Sequence, residues 1–229
     1  MREIVLDTET TGLDPATGDR IVEIACVEIV NTVATGETFH VFIDPQRDMP
    51  EEAFRVHGLS SEFLTGKPLF EQVADDFLSF IGEAPLVIHN AEFDMRFINA
   101  ELTRCKRSSL SMDRVIDTLG LARRKHPGSP NSLDALCARY RIDNSRRTKH
   151  GALLDSELLA EVYVELVGGR QAALVLASDI KVVEQTAIIE IAPRSEPIGP
   201  LIEIGEENAH RAFIGKMGEK ALWLKYLQQ

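Results

Sequence analysis

The chain has 229 residues, of which 44% are hydrophobic and 27% are charged, an ordinary composition for a globular protein. This length suffices for one substantial domain and a tail but is short for two full domains. The sequence contains no apolar run long enough to span a bilayer, and its first residues lack the apolar segment of a secretion signal. These features argue against a membrane or secreted protein, and we expect a cytoplasmic one.

The formal net charge of −11 argues against a protein that grips nucleic acid by charge alone. The charge is unevenly distributed, however: twelve of the 25 basic residues lie between Arg104 and Lys149, together with only four acids. This segment either faces phosphates or forms a solvated basic surface. The three cysteines are widely spaced and form no C-x-x-C pattern, which favours buried or free thiols over a metal site.

The first predicted elements are strands. A short apolar run at 3–7 predicts a buried strand, and the Thr-, Gly- and Asp-rich segment after it predicts a loop. Further strands are predicted at 20–30 and 37–43, paired as a hairpin around Thr35-Gly36. After Pro50 the apolar spacing becomes helical.

Helices and strands then alternate, which predicts a mixed sheet flanked by helices in an α/β fold. The predicted elements are a helix ending near Ile81, a strand at 86–89, and helices at 92–102, 115–124, 132–138 and 152–167. Beyond Gly168-Gly169 no period is sustained. We therefore divide the chain into a main domain (1–169), a linker (170–192) and a tail (193–229).

Two acids lie at the end of the first strand, where Asp7 and Glu9 form D-x-E. Residues two apart on a strand point to the same side, so both carboxylates project together. A solvated strand end is the simpler interpretation of this pair alone. Asp94 opens a predicted helix on its apolar face, where it is either functional or a partner for the helix dipole.

Asp155 shares a helical stripe with Leu159 and Val162, so its carboxylate points toward the core and needs a partner. His150 lies five residues earlier and suits proton transfer near neutral pH. Four converging acids, with no Lys or Arg in their motifs, favour a site for Mg²⁺ or Mn²⁺. Two such ions can promote hydrolysis of a phosphate ester, with His150 taking the proton of the attacking water.

The motifs D-T-E-T-T-G-L, H-N-A-x-F-D and H-x-x-x-x-D resemble the three motifs of the DEDDh branch of the DEDD exonucleases. Together with V-H-G-L at 56–59, they are similar to the proofreading epsilon subunits of bacterial DNA polymerase III, over about residues 1–170. The resemblance implies a ribonuclease H-like fold with a mixed five-stranded sheet, and release of 5′-mononucleotides from a 3′ end. It also implies two divalent ions, Mg²⁺ or Mn²⁺, held by Asp7, Glu9, Asp94 and Asp155, with His150 as general base.

The resemblance further implies residues around the 3′-terminal nucleotide. These are Thr10, Thr11, Gly12, Leu13, His57, His89, Asn90 and Phe93. Glycine at position 12 would let the backbone approach a base or sugar closely.

The segment after the main domain also resembles binding peptides. Gln171, Leu174 and Leu176 match a sliding-clamp-binding pattern, although Leu176 replaces the usual aromatic residue. The last residues are too apolar for a solvated linker. The resemblance implies that they bind the catalytic (alpha) subunit of the polymerase, with Phe213, Leu222 and Trp223 as contacts. The alternative is that Trp223 folds back on the domain, and the family allows a small theta-like subunit as well.

Three hypotheses follow from the sequence. The first is a proofreading exonuclease subunit, and the second is a free-standing DEDDh nuclease that trims RNA or DNA. The third is a catalytically inactive module that braces the polymerase. The intact catalytic set argues against the third, and only the tail separates the first from the second.

Overall fold

The computed structural model describes residues 1–147, 149–168 and 203–217. The chain divides into two units, Met1–Val175 and Leu176–Gln229, and each is described separately. Gln171, Leu174, Leu176, Leu222 and Trp223, for which we predict partner contacts, lie outside the described residues.

The first unit is built on a mixed five-stranded sheet in the order β3-β2-β1-β4-β5. β1 pairs antiparallel with β2 and parallel with β4, so it is the central strand. β2–β3 is antiparallel and β4–β5 is parallel. The strands are β1 Arg2–Thr10, β2 Ile21–Val30, β3 Val33–Phe42, β4 Leu86–Ile88 and β5 Val115–Asp117.

Helices cover both faces of this sheet. They are α1 Glu51–His57, α2 Ser61–Leu64, α3 Phe70–Ile81, α4 Ala91–Arg104, α5 Thr118–Lys125, α6 Leu133–Tyr140 and α7 Ala152–Leu166, with 3-10 turns at Pro15–Thr17 and Met112–Arg114. Among the residues that the structure describes, no helix is both long and apolar enough to cross a membrane.

Strand alternation sends the residues of β1 into two separate cores. Ile4 and Leu6 pack with α3 and α4, where Phe77 and Phe97 are fully buried. Val5 points to the opposite face and packs with α7. Because β1 is buried on both faces, its apolar run is nearly continuous rather than alternating.

Three of the predicted element boundaries were wrong. β1 continues through Thr10 into the segment that we predicted as a loop. The hairpin turns at Asn31-Thr32, where both residues adopt positive φ (52° and 67°), and not at Thr35-Gly36. Gly36 instead lies within β3 at a register shift, which is a common use of glycine in strands. Residues 115–117, predicted as helix, form β5.

The second unit contains one described helix, α8 (Ile204–Lys216), within the predicted tail. Glu206 accepts a hydrogen bond from the backbone of Glu203, and Arg211 pairs with Glu207 one turn away. Such local pairs support a helix in a segment whose apolar residues show no sustained period. Phe213, a predicted partner contact, is 62% exposed on α8.

Candidate active site

The packing of α7 against β1 determines which residues meet at the end of the sheet. The Tyr163 hydroxyl donates to Glu3 Oε1 at 2.8 Å, and Leu159 packs in the same core as Val5. Helix and strand therefore run in opposite directions. Two residues of a strand advance about 6.7 Å and four residues of a helix about 6 Å, so the two elements stay in step along this contact.

The same alignment, continued by two residues along β1 and four residues back along α7, brings the predicted acids together. Asp7 and Glu9 follow Val5 on the α7 face of β1, and Asp155 precedes Leu159 by four residues on α7. Glu9 and Asp155 are both buried, at 8% and 4% exposure. The three carboxylates therefore share the end of the α7 core.

Asp94 reaches the same place from the opposite face of the sheet. It lies in the first turn of α4, where its Oδ1 accepts hydrogen bonds from the backbone N and the Oγ1 of Thr8, at 3.1 and 2.7 Å. Asn90, just before α4, adopts a left-handed conformation (φ 65°, ψ 51°) that starts the helix sharply after β4. The left-handed backbone at Asn90 thus directs the first helical turn of α4 toward β1.

All five predicted catalytic residues line one cleft of about 870 Å³. The cleft is bordered on one side by Leu13 and Phe93 and on the other by the segment that joins α5 to α6, including Asn131, with the exposed Arg123 of α5. Its floor is acidic and part of its rim is basic. The basic segment of the sequence thus contributes directly to the cleft.

The acids of the floor are electrostatically strained in the absence of a cation. Burial, followed by the charges of Asp94, Glu9 and Asp155, raises the pKa of Asp7 well above its usual range. Burial and neighbouring carboxylates raise the pKa of Glu9 to about 8. Burial raises the pKa of Asp94 to about 7, although the hydrogen bonds from Thr8 act in the opposite direction. An all-oxygen donor set with excess negative charge fits a hard divalent cation.

Asp155 is the exception, because it has a cationic partner. Burial acts to raise its pKa, but the neighbouring His150 and the hydrogen-bonded, positively charged Arg147 outweigh burial and lower it. Arg147 Nη2 donates to Asp155 Oδ2 at 2.8 Å. None of the acidic motifs contains a Lys or Arg, but Arg147, three residues before His150, brings a cation into the site.

His150 lies at the mouth of the cleft with its side chain 48% exposed. Its Nδ1 is 3.4 Å from Asp155 Oδ2, and its backbone N donates to the carbonyl of Val56 at 3.2 Å. Candidate ligand atoms of Glu9, His150 and Asp155 all lie within 4.8 Å of one another. His150 is thus placed either to take a proton from solvent or to join the carboxylates around a cation.

The loop after β1 forms one wall of the site. Thr10 and Thr11 are buried, whereas Leu13 is 79% exposed. A Cβ on Gly12 would collide with the carboxylate of Asp19, which also accepts hydrogen bonds from Thr11 and from the backbone N of Asp14. Asp19 therefore gives glycine at position 12 a reason within the chain, and the close approach to substrate stays a prediction.

The other predicted substrate residues lie around the same opening. His57 lines a smaller pocket of about 270 Å³ beside the loop and is buried, and within the described residues its Nε2 is buried without a hydrogen-bond partner. Phe93 borders both pockets and packs on Phe97. His89 contacts Thr118 Oγ1 at 2.9 Å, and the exposed Asn90 lines the main cleft.

The sequence of the chain matches known exonucleases. Residues 4–163 match the profile of the family described as Exonuclease (RNase_T). DNA polymerase III subunit epsilon of Rickettsia conorii is 50% identical over 222 residues, which cover 95% of this chain and 96% of the relative. The chain belongs to this exonuclease family and, within it, to the epsilon subunits. The Escherichia coli subunit epsilon is 44% identical over 236 residues and 97% of both chains.

The fold agrees with this membership. Exonuclease X, in its complex with 5′-overhanging duplex DNA, superposes with a TM-score of 0.55 at 25% identity, covering 74% of this chain and 94% of that one. The ribonuclease H-like fold with a mixed five-stranded sheet is confirmed. Membership in the family implies a divalent-metal-dependent exonuclease.

Asp117, which we did not single out in the sequence, binds the starts of two helices that line the cleft. Its carboxylate accepts hydrogen bonds from the backbone N of Leu119 and Gly120 at the start of α5, both at 3.1 Å. It also accepts from the backbone N of Asn90 and Ala91 at the start of α4, at 3.2 and 3.4 Å. One side chain thus caps both helices. Asp before Thr is a helix-start signal, but our prediction of a helix over 115–124 concealed it.

Replacing Asp117 with alanine is expected to lower the free energy of unfolding by about 1–2 kcal/mol, because both helix starts lose an acceptor. The Asp117→Asn variant, which can still cap α5, should recover part of the loss. Chemical denaturation of both variants measures this. Asp113→Ala is the matched control, since Asp113 is exposed and, among the described residues, its carboxylate bonds only to Ser111. Equal stability of the Asp113 and Asp117 alanine variants would contradict the double cap.

The metal-free chain is expected to lose stability as the pH rises from about 5 to 8. Asp94 and Glu9 keep their protons in the folded state up to about pH 7 and 8. When unfolded they lose them near pH 4. The folded state binds more protons across this interval, so the free energy of unfolding falls as the pH rises.

Melting temperatures in chelator across this pH range measure the effect, with the double variant Glu9→Gln, Asp94→Asn as control. The control should show a clearly shallower decline, because both titrating groups are gone. If the melting temperatures of the two proteins fell equally with pH, Glu9 and Asp94 would not be the groups that cause the loss of stability.

Proposed function

We propose that the chain is the proofreading subunit of a bacterial replicative DNA polymerase, which removes 3′-terminal nucleotides as 5′-mononucleotides. The observation that carries this proposal is the convergence of five motif residues in one cleft, in a chain that belongs to the epsilon subunits. Those residues are Asp7, Glu9, Asp94, His150 and Asp155.

In this proposal Asp7, Glu9, Asp94 and Asp155 hold two divalent ions, Mg²⁺ or Mn²⁺. When bound, such ions supply an activated water and stabilisation of the leaving oxygen. His150 receives the proton of the attacking water, a role that its exposed position and its reach to Asp155 support. Thr8 holds Asp94 in place through two hydrogen bonds and so fixes the separation of the two faces of the site.

The loop side of the cleft receives the terminal nucleotide. Leu13 and Phe93 offer apolar contact to a base or sugar, beside the buried His57. The segment Thr10–Leu13, together with His89 and Asn90, forms the remainder of the subsite. On the opposite rim the exposed Arg123 suits a backbone phosphate of the same strand.

Selection of mismatched ends is part of this proposal. Glu9, Asp94 and Asp155 are buried beneath the cleft, so we expect a 3′ end to leave its duplex to reach them. Unpairing costs least at a mismatch, which gives selectivity without reading of bases. The net charge of −11 suits an enzyme delivered to DNA by partners rather than by its own charge.

The partners are assigned to the segment after the catalytic domain. The match to the subunit from Rickettsia conorii covers 95% of this chain and so extends beyond residue 169, where the catalytic domain ends in our division. We assign binding of the polymerase catalytic (alpha) subunit to 193–229, including Phe213, Leu222 and Trp223, and binding of the sliding clamp to Gln171, Leu174 and Leu176. A small theta-like subunit is a further candidate partner.

The free-standing nuclease is the second candidate. The solved chain of exonuclease X is matched over 94% of its length by 74% of this chain, so that solved chain consists almost entirely of the shared domain. The substrate preference of the full chain separates the two functions.

The test is digestion of a 3′-labelled primer–template, matched and mismatched, beside a single RNA strand. Reactions contain Mg²⁺, Mn²⁺ or chelator. We expect metal-dependent release of 5′-mononucleotides, faster at the mismatch and slower on RNA. A clear preference for RNA would favour the free-standing nuclease, and inactivity with both metals would support the inactive bracing module.

The His150→Gln variant tests the general base in the same assay. We expect its rate to fall by about 10²–10⁴-fold, the usual contribution of a general base. His126→Gln is the matched control, because His126 contacts Tyr140 and does not line the cleft. Equal rates for the two variants would contradict the role of His150.

A further inference from the structure

Arg147 places a guanidinium group among the residues that are proposed to hold the metal. Its Nε and Nη2 donate to the two carboxylate oxygens of Asp155, at 2.5 and 2.8 Å. Its Nη1 donates to both oxygens of Asp134, each at 2.8 Å. Its Nη2 also lies 2.7 Å from His150 Nδ1. All three nitrogens of the guanidinium therefore have partners.

This arrangement uses the same atoms that the proposed chemistry needs. Both oxygens of Asp155 accept from the guanidinium, so a divalent cation that binds them must compete with this charge. Nδ1 of His150 accepts from Arg147, so that nitrogen is not free to receive a proton from water. A single side chain thus contacts a proposed metal ligand and one ring nitrogen of the proposed general base.

Burial makes the contact strong and also explains why it exists. The side chain of Arg147 is only 7% exposed and that of Asp155 only 5%. A carboxylate that is removed from water requires a cation, and the planar guanidinium fork matches a carboxylate closely. The acids around Asp155 add negative charge that holds any cation there.

Asp134 gives the guanidinium a second place to bind. It is 57% exposed on α6 and lines the cleft. Because Nη1 alone contacts Asp134, the Nε edge can leave Asp155 while the pairing with Asp134 persists. The guanidinium of Arg147 can therefore leave Asp155 and keep Asp134 as its partner.

We propose that Arg147 is an internal counter-ion that occupies Asp155 and His150 until a divalent cation displaces it, and so sets the metal affinity of the site. This inference rests on the proposed function, since it concerns the same metal site. Exchange of one cation for another keeps the buried acids compensated throughout. It also frees Nδ1 of His150 from Arg147 when the metal binds.

Calorimetric titration of Mn²⁺ into the full-length chain tests the proposal. Arg147→Gln should bind Mn²⁺ about 10-fold more tightly than the wild type, because the competing charge is removed. Arg147→Lys keeps the charge but loses the fork, so its affinity should lie between the two. Arg146→Gln is the matched control: Arg146 is 76% exposed, pairs with Glu157 and does not line the cleft. Its affinity should equal that of the wild type.

A second readout is the melting temperature in chelator and in Mn²⁺. Arg147→Gln should melt lower than the wild type in chelator, where its acids lack a cation, and should gain more from Mn²⁺. Far-ultraviolet circular dichroism in Mn²⁺ verifies that each variant folds. If Arg147→Gln does not fold, the comparison of Arg147→Lys with the wild type is the test.

Unchanged or weaker Mn²⁺ binding by both Arg147 variants would overturn the counter-ion role and leave the metal site standing. Absence of Mn²⁺ binding in every protein, the wild type included, would instead contradict the metal site itself and this inference with it.

Discussion

Repulsion among buried carboxylates at the end of β1 is the constraint on which the rest of the site depends. Asp7, Glu9 and Asp94 all have a raised pKa, with burial as the largest cause and neighbouring acids adding to it for Asp7 and Glu9. A fold that concentrates negative charge in this way does so at the expense of its own stability. A bound cation relieves this repulsion, and carboxylate oxygens in this number favour doubly charged ions.

The fold meets this constraint by using both faces of its central strand. The α7 face supplies Asp7, Glu9 and Asp155, while Asp94 arrives from the α4 face and is held by Thr8. Four of the proposed catalytic residues thus lie on a strand and two helices, and the fifth, His150, lies on a loop. Rigid elements keep like charges at fixed separations, which a loop would allow to relax.

Much of this was predictable from the sequence, because the motifs lie on strongly patterned elements. D-x-E on a strand predicts that Asp7 and Glu9 share a side, and the stripe of α7 predicts that Asp155 faces inward. The role of Arg147 was not predictable, since it depends on contacts between a loop, α6 and α7. Asp117 was equally hidden, because its bonds to α4 join elements that only the sheet brings together.

The most direct measurement of the central claim is anomalous scattering from crystals of the chain soaked in Mn²⁺ with a 5′-mononucleotide. We expect two Mn²⁺ ions about 3.5–4 Å apart, bound by Asp7, Glu9, Asp94 and Asp155. We also expect Arg147 to have left Asp155. Absence of Mn²⁺ at these carboxylates, with Arg147 still bound to Asp155, would contradict both the metal site and the displacement of Arg147.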